Sequence, residues 1–564
     1  MKILSLRYGH DSSAAILIDG EIIADVAEER FSRIKNDTSF PVKSIEYCLK
    51  TAKINSEELD ALVFPTTNMQ QDITSFFKLP KKEEEKFFNS WKYKINNFLG
   101  RIPSKVVLPL YQKPWKISDK CEIKFYDHHL CHAASAAYTS GININEKVLG
   151  FTMDGIGDNT SVAIWEIHKN RIKNLYKVDG KGSLGWFYGL ATEGMKWRHG
   201  SEEWKVMGLA PYGKPLDGLL DDFHPKYEEG ILKTGHDYKG FGIWKDHGGV
   251  HYHGKQSYDL SLVCNEFGKE DFAAEVQKIS EEQAMNIILP WVKKKSIKKI
   301  VCSGGFFMNV KFNQSLWYTN ELDTQWIYPN PGDAGLPVGA CLYHWYQNNL
   351  GNQHKRMNNV YLGPEFSNEE IKTILEDRSI KYEFHEDIEK ITAKYLSKNF
   401  VVGWFQGRME SGPRALGNRS ILMSPIHKEN KDIINAKVKY REKFRPFCPS
   451  ILDSKYEDYL YSPRDELFMV TSFEAKEGVQ KRIPAVIHVD NTARPQKVIE
   501  KVNKSYYSLI KNFGNLTNEY VLLNTSFNIK GEPIVCNPRE AIKCFYDTGL
   551  DILVLGNYLI KKEI

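Results

Sequence analysis

Two histidines four residues apart, His128 and His132, stand in the run Asp127-His128-His129-Leu130-Cys131-His132, which continues into Ala133-Ala134-Ser135-Ala136-Ala137. The alanines favour helix, and on a helix positions four apart share one face. That spacing lets two imidazoles grip one metal ion, while His129 points elsewhere. A capping or core role would use the same two residues without any ion. Asp154 and Asp333 each follow an apolar stretch that reads as a strand, and together they would complete a His₂Asp₂ ligand set. Imidazole and carboxylate donors suit iron(II), manganese or zinc, and the sequence does not choose among them.

Other segments offer different chemistry. His10 lies in the polar turn Gly9-His10-Asp11-Ser12, where an imidazole can act as general base toward a hydroxyl or simply bond its own loop. Ser303-Gly304-Gly305 ends the apolar run Lys299 to Cys302, and glycines after a strand permit close approach to phosphate or ribose. No G-x-x-x-x-G-K-[ST] phosphate loop occurs anywhere in the chain. The segment Glu203 to Gly213 reads as a tight loop against a ligand or as packing. Cations concentrate toward the C-terminus: Arg408, Arg414 and Arg419 among glycines, then Lys437, Lys439, Arg441, Lys443 and Arg445, then Arg494, then Lys530 after Asn524-Thr525-Ser526-Phe527-Asn528. Guanidinium forks match phosphate and carboxylate oxygens, so the set points to a polyanionic substrate, with Lys437 and Lys443 as candidates for a solvated helix face. Cys131 and Cys302 lack an evident base partner and read as core thiols. His247, His251 and His253 form a loose cluster best read as part of a surface insertion.

These groups need elements to hold them. Ile3 to Leu6, a polar turn, Ala14 to Ile18, the turn Asp19-Gly20 and Glu21 to Val26 read as strand, loop, strand, turn, strand. Val148 to Asp154, a Gly/Asp loop, Ser161 to His168 and Ile172 onward repeat the plan about 145 residues later. The repeat predicts a duplicated α/β domain over 1–350 whose two loops bracket a phosphate-bearing ligand. A polar stretch between Tyr346 and Asn359 marks a linker, and 351–564 reads as a second α/β domain. Residues 79–124, rich in lysine and aromatics, interrupt the first domain as a lid or a solvated insertion.

Composition narrows the class. Over 564 residues the chain is 42% hydrophobic and 26% charged, which excludes disordered and fibrous proteins. A net charge of +5 is small for the length and makes a nucleic-acid partner unexpected. Nine cysteines without a C-x-x-C pair read as reduced thiols. Charge interrupts the first residues before a signal core forms, and no apolar run is long enough for a bilayer, so a soluble cytoplasmic protein with no membrane partner is expected.

Taken in order, Gly9-His10-Asp11-Ser12, Asp127-His128-His129-x-x-His132-Ala133, Lys205 to Gly213, Gly304-Gly305-x-x-x-Asn309, Gly412 to Ser420, Arg445-Pro446-Phe447 and Asn524 to Asn528 span nearly the whole chain. They resemble the nodulation, cephalosporin and aminoglycoside O-carbamoyltransferases. The resemblance implies an N-terminal domain of the actin and sugar-kinase superfold, akin to the tRNA threonylcarbamoyl transferase, and a YrdC-like C-terminal domain. It implies that the latter makes carbamoyl-adenylate from carbamoyl phosphate and ATP with Mg²⁺, using Lys439, Arg441, Arg445 and Arg494, with Asn528 and Lys530 added. It further implies iron(II) on His128, His132, Asp154 and Asp333, a nucleotide against Gly304, Gly305, Asn309 and Asp333, and His10 helping to deprotonate a small hydroxyl-bearing acceptor. A homodimer is compatible with this reading. The competing readings are a tRNA-modifying threonylcarbamoyl-type transferase and a nucleotide-binding regulator without transferase activity.

Overall fold

The computed structural model describes residues 1–67, 77–78, 115–238, 241–245 and 249–562, with the side chains of 241–244 set aside. Most of the 79–124 insertion and His247 lie outside that range. Where the chain resumes, Glu122–Phe125 is not part of a lid: it is the edge strand of the first sheet. Its burial alternates between half-buried and exposed, which is why it carries no apolar run to announce it.

Two sheets form the N-terminal half. The first joins β1 (Lys2–Arg7), β2 (Ser13–Ile18), β3 (Glu21–Ala27), β4 (Ala61–Phe64) and β5 (Glu122–Phe125) in the order β3-β2-β1-β4-β5. The second joins β6 (Val148–Gly157), β7 (Thr160–His168), β8 (Arg171–Asp179), β9 (Lys299–Ser303) and β10 (Thr324–Ile327) in the order β8-β7-β6-β9-β10. Each is an antiparallel three-strand meander to which parallel strands are added, β1 beside β4 and β6 beside β9. The duplicated plan is therefore present in strand order as well as in sequence.

Each half-repeat ends in a helix: α1 (His128–Thr139) after β5 and, later in the chain, α5 (Leu336–Asn348) after β10. Between them come α2 (Leu184–Gly194), α3 (Glu203–Leu209) and α4 (Lys269–Lys295). Helices α1 and α5 pack on each other between the sheets, and the small residues of α1 allow this: Ala133, Ala134, Ala136 and Ala137 are all buried. Gly339 lies directly on the Cys131 carbonyl, where a methyl group would overlap it. Each large aliphatic side chain sealed in these layers contributes about 1.5–3 kcal/mol relative to exposure. Helices α2, α3 and α4 share a separate small core that includes Phe187, Val206 and Phe272.

The C-terminal half is built on an eight-stranded mixed sheet. Its strands are β11 (Glu383–Phe384), β12 (Val402–Phe405), β13 (Arg419–Met423), β14 (Cys448–Leu452), β15 (Gln496–Val498), β16 (Val521–Ser526), β17 (Ile552–Leu555) and β18 (Tyr558–Lys561), in the order β11-β18-β17-β12-β13-β16-β14-β15. Apolar side chains cover both faces, one set around Phe405, Ile421 and Leu523, the other around Trp404, Leu422 and Leu522. The halves are tightly joined. Arg30 donates to the Gly412 carbonyl at 2.9 Å, Arg33 to the Pro533 and Ile534 carbonyls at 2.7 Å, and Asn313 to the Val470 carbonyl at 2.7 Å. No described helix is long and apolar enough to cross a membrane.

Candidate metal centre and anion site

The first site assembles where the duplicated sheets meet. His128 and His132 project from the first turns of α1, whose start is fixed by Asp127 accepting from the Leu130 amide at 2.9 Å. Asp154 comes from the end of β6, and Asp333 from the turn that leads into α5. One ligand atom from each of the four lies within 4.8 Å of all the others. Asp154 Oδ2 is 3.3 Å from His128 Nε2 and 3.1 Å from His132 Nε2, and the two ring nitrogens are 3.1 Å apart.

These residues fit a divalent cation. Two Nε2 atoms facing each other at 3.1 Å among carboxylates need a positive charge between them, supplied by a proton or an ion. His132 turns its other nitrogen to Ser303 Oγ at 3.2 Å, the outer-ring support that orients a metal-binding imidazole. Burial opposes the charge of the carboxylates, yet His128 and His132 hold Asp154 well below its usual range. Burial also opposes ionisation of Asp333, while Arg7, 2.6 Å away, and His128 keep its pKa at about 2. His129 points away, as expected, to Thr152 Oγ1 and the Thr160 carbonyl, both at 2.9 Å. The site has no room to spare: a methyl group on Gly157 would overlap the His128 ring.

Gly304 and Gly305 lie against this centre. Gly304 has φ +106° and rests on the Met153 carbonyl, and a methyl on Gly305 would meet Asp154 Oδ1 at 2.9 Å. Asn309 is differently employed. Its side chain caps the following helix through the Phe312 amide at 3.1 Å and pairs with the Gln277 amide in both directions at 3.1 Å. His10 sits on the same side of the fold, with Nδ1 3.1 Å from Asp11 Oδ2 and Nε2 3.2 Å from the Gly200 carbonyl. Both nitrogens thus face acceptors, and the bond to Asp11 raises its pKa to about 9 despite burial.

The second site is a cluster of cations in the C-terminal half. Lys439 donates to Asn528 Oδ1 at 2.7 Å, to the Asn528 carbonyl at 2.9 Å and to Ser526. Arg441 lies over the Phe447 ring at 4.3 Å, and Arg494 reaches Cys448 Sγ at 2.8 Å. Arg445 stacks on Trp204, its guanidinium carbon 3.4 Å from the ring centroid. Burial, with Arg441 next, pulls the pKa of Arg445 down to about 8, and burial with Arg441 holds Lys439 well below its ordinary range. Arg414, also buried, is lowered to about 9 by burial and then Arg494. Cations crowded in this way bind an anion strongly because it cancels their mutual repulsion.

That crowding predicts a measurable signature. An anion that relieves this repulsion is held chiefly by charge, so its affinity should fall as salt rises. Titrating inorganic phosphate into the protein at low and at high sodium chloride is expected to show clearly weaker binding at high salt; an affinity indifferent to salt would contradict the arrangement.

The structure sorts three of the sequence expectations. Of the three arginines among glycines, only Arg414 belongs to the cluster: Arg408 binds the Ile23 and Leu362 carbonyls at 2.9 and 2.7 Å, and buried Arg419 binds the Gln406 and Pro364 carbonyls at 2.6 and 2.9 Å. Lys530 is exposed, two residues beyond the Asn528 that holds Lys439. Of the two readings of the segment from Glu203, packing is the one seen: it opens as helix α3, and its Gly208 makes room for Phe444 and Pro446, 3.9 and 3.7 Å from where a methyl would stand. The structure adds Lys35, which the sequence did not suggest and whose charge acts on Lys439 and Arg445, and it sets Trp204, from the Glu203 to Gly213 segment, under Arg445. Both come from the N-terminal half, and no local pattern links them to cations more than two hundred positions away.

The nodulation protein NolNO of Sinorhizobium fredii is 34% identical over 98% of this chain and 79% of its own, and the uncharacterized protein sll1178 of Synechocystis is 33% identical over 98% and 95%. Among solved structures, full-length HypF in its phosphate- and nucleotide-bound form aligns over 63% of this chain and 56% of its own, with 13% identity and a TM-score of 0.34. Residues 2–342 match the carbamoyltransferase N-terminus and residues 393–562 the carbamoyltransferase C-terminus, so the chain belongs to the carbamoyltransferase family.

Proposed function

We propose that this protein is an ATP-dependent O-carbamoyltransferase that makes carbamoyl-adenylate in a YrdC-like C-terminal domain (351–564) and spends it in the N-terminal domain (1–350). The observation that carries the reading is the buried cation cluster around Lys439, Arg441, Arg445, Arg494 and Arg414, a built receptacle for several phosphate charges. Carbamoyl phosphate there loses phosphate to water, and an oxygen of the resulting carbamate attacks the α-phosphorus of ATP, brought with Mg²⁺. Pyrophosphate departs. Lys439, Arg441, Arg445 and Arg494 hold the phosphates and offset the charge that builds in each transition state. Asn528 fixes the Lys439 ammonium, which leaves Lys439 aimed by two oxygens of that residue.

In the N-terminal domain the acceptor hydroxyl adds to the carbamoyl carbon and AMP leaves. A divalent ion, iron(II) in this reading, on His128, His132, Asp154 and Asp333 supplies Lewis-acid polarisation of the leaving phosphate. Gly304 and Gly305 let the nucleotide lie close to Asp154. Asn309 holds the loop in shape through its cap and its pairing with Gln277. His10 takes the hydroxyl proton. Because Asp11 keeps its imidazole protonated up to about pH 9, the neutral base is scarce at pH 7. Transfer kcat/KM is therefore expected to rise about tenfold per pH unit toward pH 9 and then level off, and His10→Asn should abolish that slope; a flat profile in the unaltered enzyme would remove His10 as the base. The overall reading is tested by supplying carbamoyl phosphate and ATP with a panel of hydroxyl compounds, then measuring AMP and products heavier by one carbamoyl unit. AMP formation that ignores carbamoyl phosphate would reject it.

A further inference from the structure

The backbone departs from regular geometry where the cation cluster begins. A short α-helix, Asn430–Ile434, passes into a single π-helical turn, Asn435–Lys439, and the turn closes on Tyr440 with φ +46° and ψ +52°. Such turns are rare and recur at functional sites, and a left-handed backbone is costly for a residue with a bulky side chain. The Tyr440 ring is exposed, so burial of the ring does not account for the strain. Strain of this kind persists only where the surroundings impose it. Its effect here is to set Lys439 and Arg441, on either side of Tyr440, into one cluster.

Asn435 closes the turn with both of its oxygens. Its main-chain carbonyl accepts from the Tyr440 amide and, at 3.3 Å, from the Arg441 amide, while its side-chain Oδ1 accepts from Arg441 Nε at 2.6 Å. Phe447 lies against the same guanidinium, 4.3 Å from its carbon to the ring centroid. Asn435 is 2% exposed, and its Nδ2 has no partner among the described residues. The amide gains nothing by turning over, because Nδ2 would then face the Nε–H of Arg441, donor against donor. An unanswered buried donor is destabilising, so this residue does not serve the core best.

It does serve the cluster. Arg441 shares its surroundings with Lys439, Arg445 and Arg494, and a guanidinium free to move would turn away from like charges. A carboxylate could hold it but would cancel its charge. A neutral amide oxygen holds it and leaves the full charge to an arriving anion.

We propose that Asn435 is a positioning residue of the anion site, holding the Arg441 guanidinium in the cluster by a neutral acceptor so that its charge stays available to phosphate groups. The assignment rests on the carbamoyl-adenylate reading for its purpose, but its test does not use that chemistry. Pyrophosphate is the probe: its affinity for the full-length protein is measured by calorimetry, beside the melting temperature without ligand. Asn435→Leu, close in size, removes the acceptor and the unanswered donor together. Pyrophosphate should then bind about tenfold more weakly, with no fall in melting temperature. Asn435→Asp keeps the acceptor but cancels one charge, and it too should weaken pyrophosphate severalfold. Arg441→Ala should cost about a hundredfold. Adding Asn435→Leu to it should cost no more than about twofold further, because a residue that acts through Arg441 then has nothing left to hold. Losses that add in the double variant, unchanged affinity in Asn435→Leu or Asn435→Asp, or a melting temperature several degrees lower in Asn435→Leu would overturn the proposal. AMP formation that ignores carbamoyl phosphate would instead sink the parent reading and leave these binding results standing.

Discussion

Arg445→Ala is expected to lower carbamoyl-phosphate-dependent AMP formation by about a hundred- to a thousandfold, the loss usual when one preorganised donor is removed from a developing negative charge. The argument is geometric as well as electrostatic. The Arg445 guanidinium lies 3.4 Å over Trp204, and Glu442 stands 3.8 Å away. One face is therefore given to the indole, and the guanidinium charge acts on Arg441 and Lys439. Arg445→Lys should recover little, because an ammonium neither stacks in the same plane nor offers two parallel donors. Melting temperature in the presence of pyrophosphate gives a readout independent of turnover: the unaltered protein should be stabilised by the anion, as any ligand of the native state stabilises it, and the variant should lose most of that increment. Unchanged AMP formation in Arg445→Ala would take this residue out of the site.

The second large effect is expected at His132. Replacing it by alanine removes one of four convergent donors and leaves His128, Asp154 and Asp333 with an open edge. Bound metal, measured by elemental analysis after purification, should fall to a small fraction of its level in the parent protein. Carbamoyl transfer should drop by at least about a thousandfold, roughly 4 kcal/mol, while pyrophosphate release from carbamoyl phosphate and ATP persists because the cation cluster lies in the other half. This separation is the informative part. A variant that merely folded poorly would lose both steps together, whereas full metal occupancy with transfer intact would reject the ligand set.

Much of the first site was legible in the sequence for a physical reason. A helix converts a spacing of four into adjacency, so His128 and His132 declared themselves; Asp154 followed from a strand plan that repeats, whereas Asp333 stands beyond its strand, in the turn that leads into α5. The cation cluster was readable as a tendency only. Arg408, Arg414 and Arg419 look alike in sequence, yet backbone carbonyls consume the first and third, and nothing local distinguishes an arginine that braces a loop from one that awaits a ligand. Asn309 carried the same ambiguity, since a cap residue and a ligand contact are the same residue type at the same bend. The fifth strand of the first sheet escaped because a half-exposed edge lacks an apolar run.

The indole beneath Arg445 has one more consequence. Its owner, Trp204, is contributed by the first half of the chain, and the neighbouring Lys205 reaches Glu442 at 3.2 Å. The cation cluster of the second half is thus partly held in place by the first. A gene broken between the two would deliver every C-terminal motif intact and still yield an arginine with no floor to rest on, so natural fission of this polypeptide into separate subunits would require the pieces to find each other again before the cluster were complete.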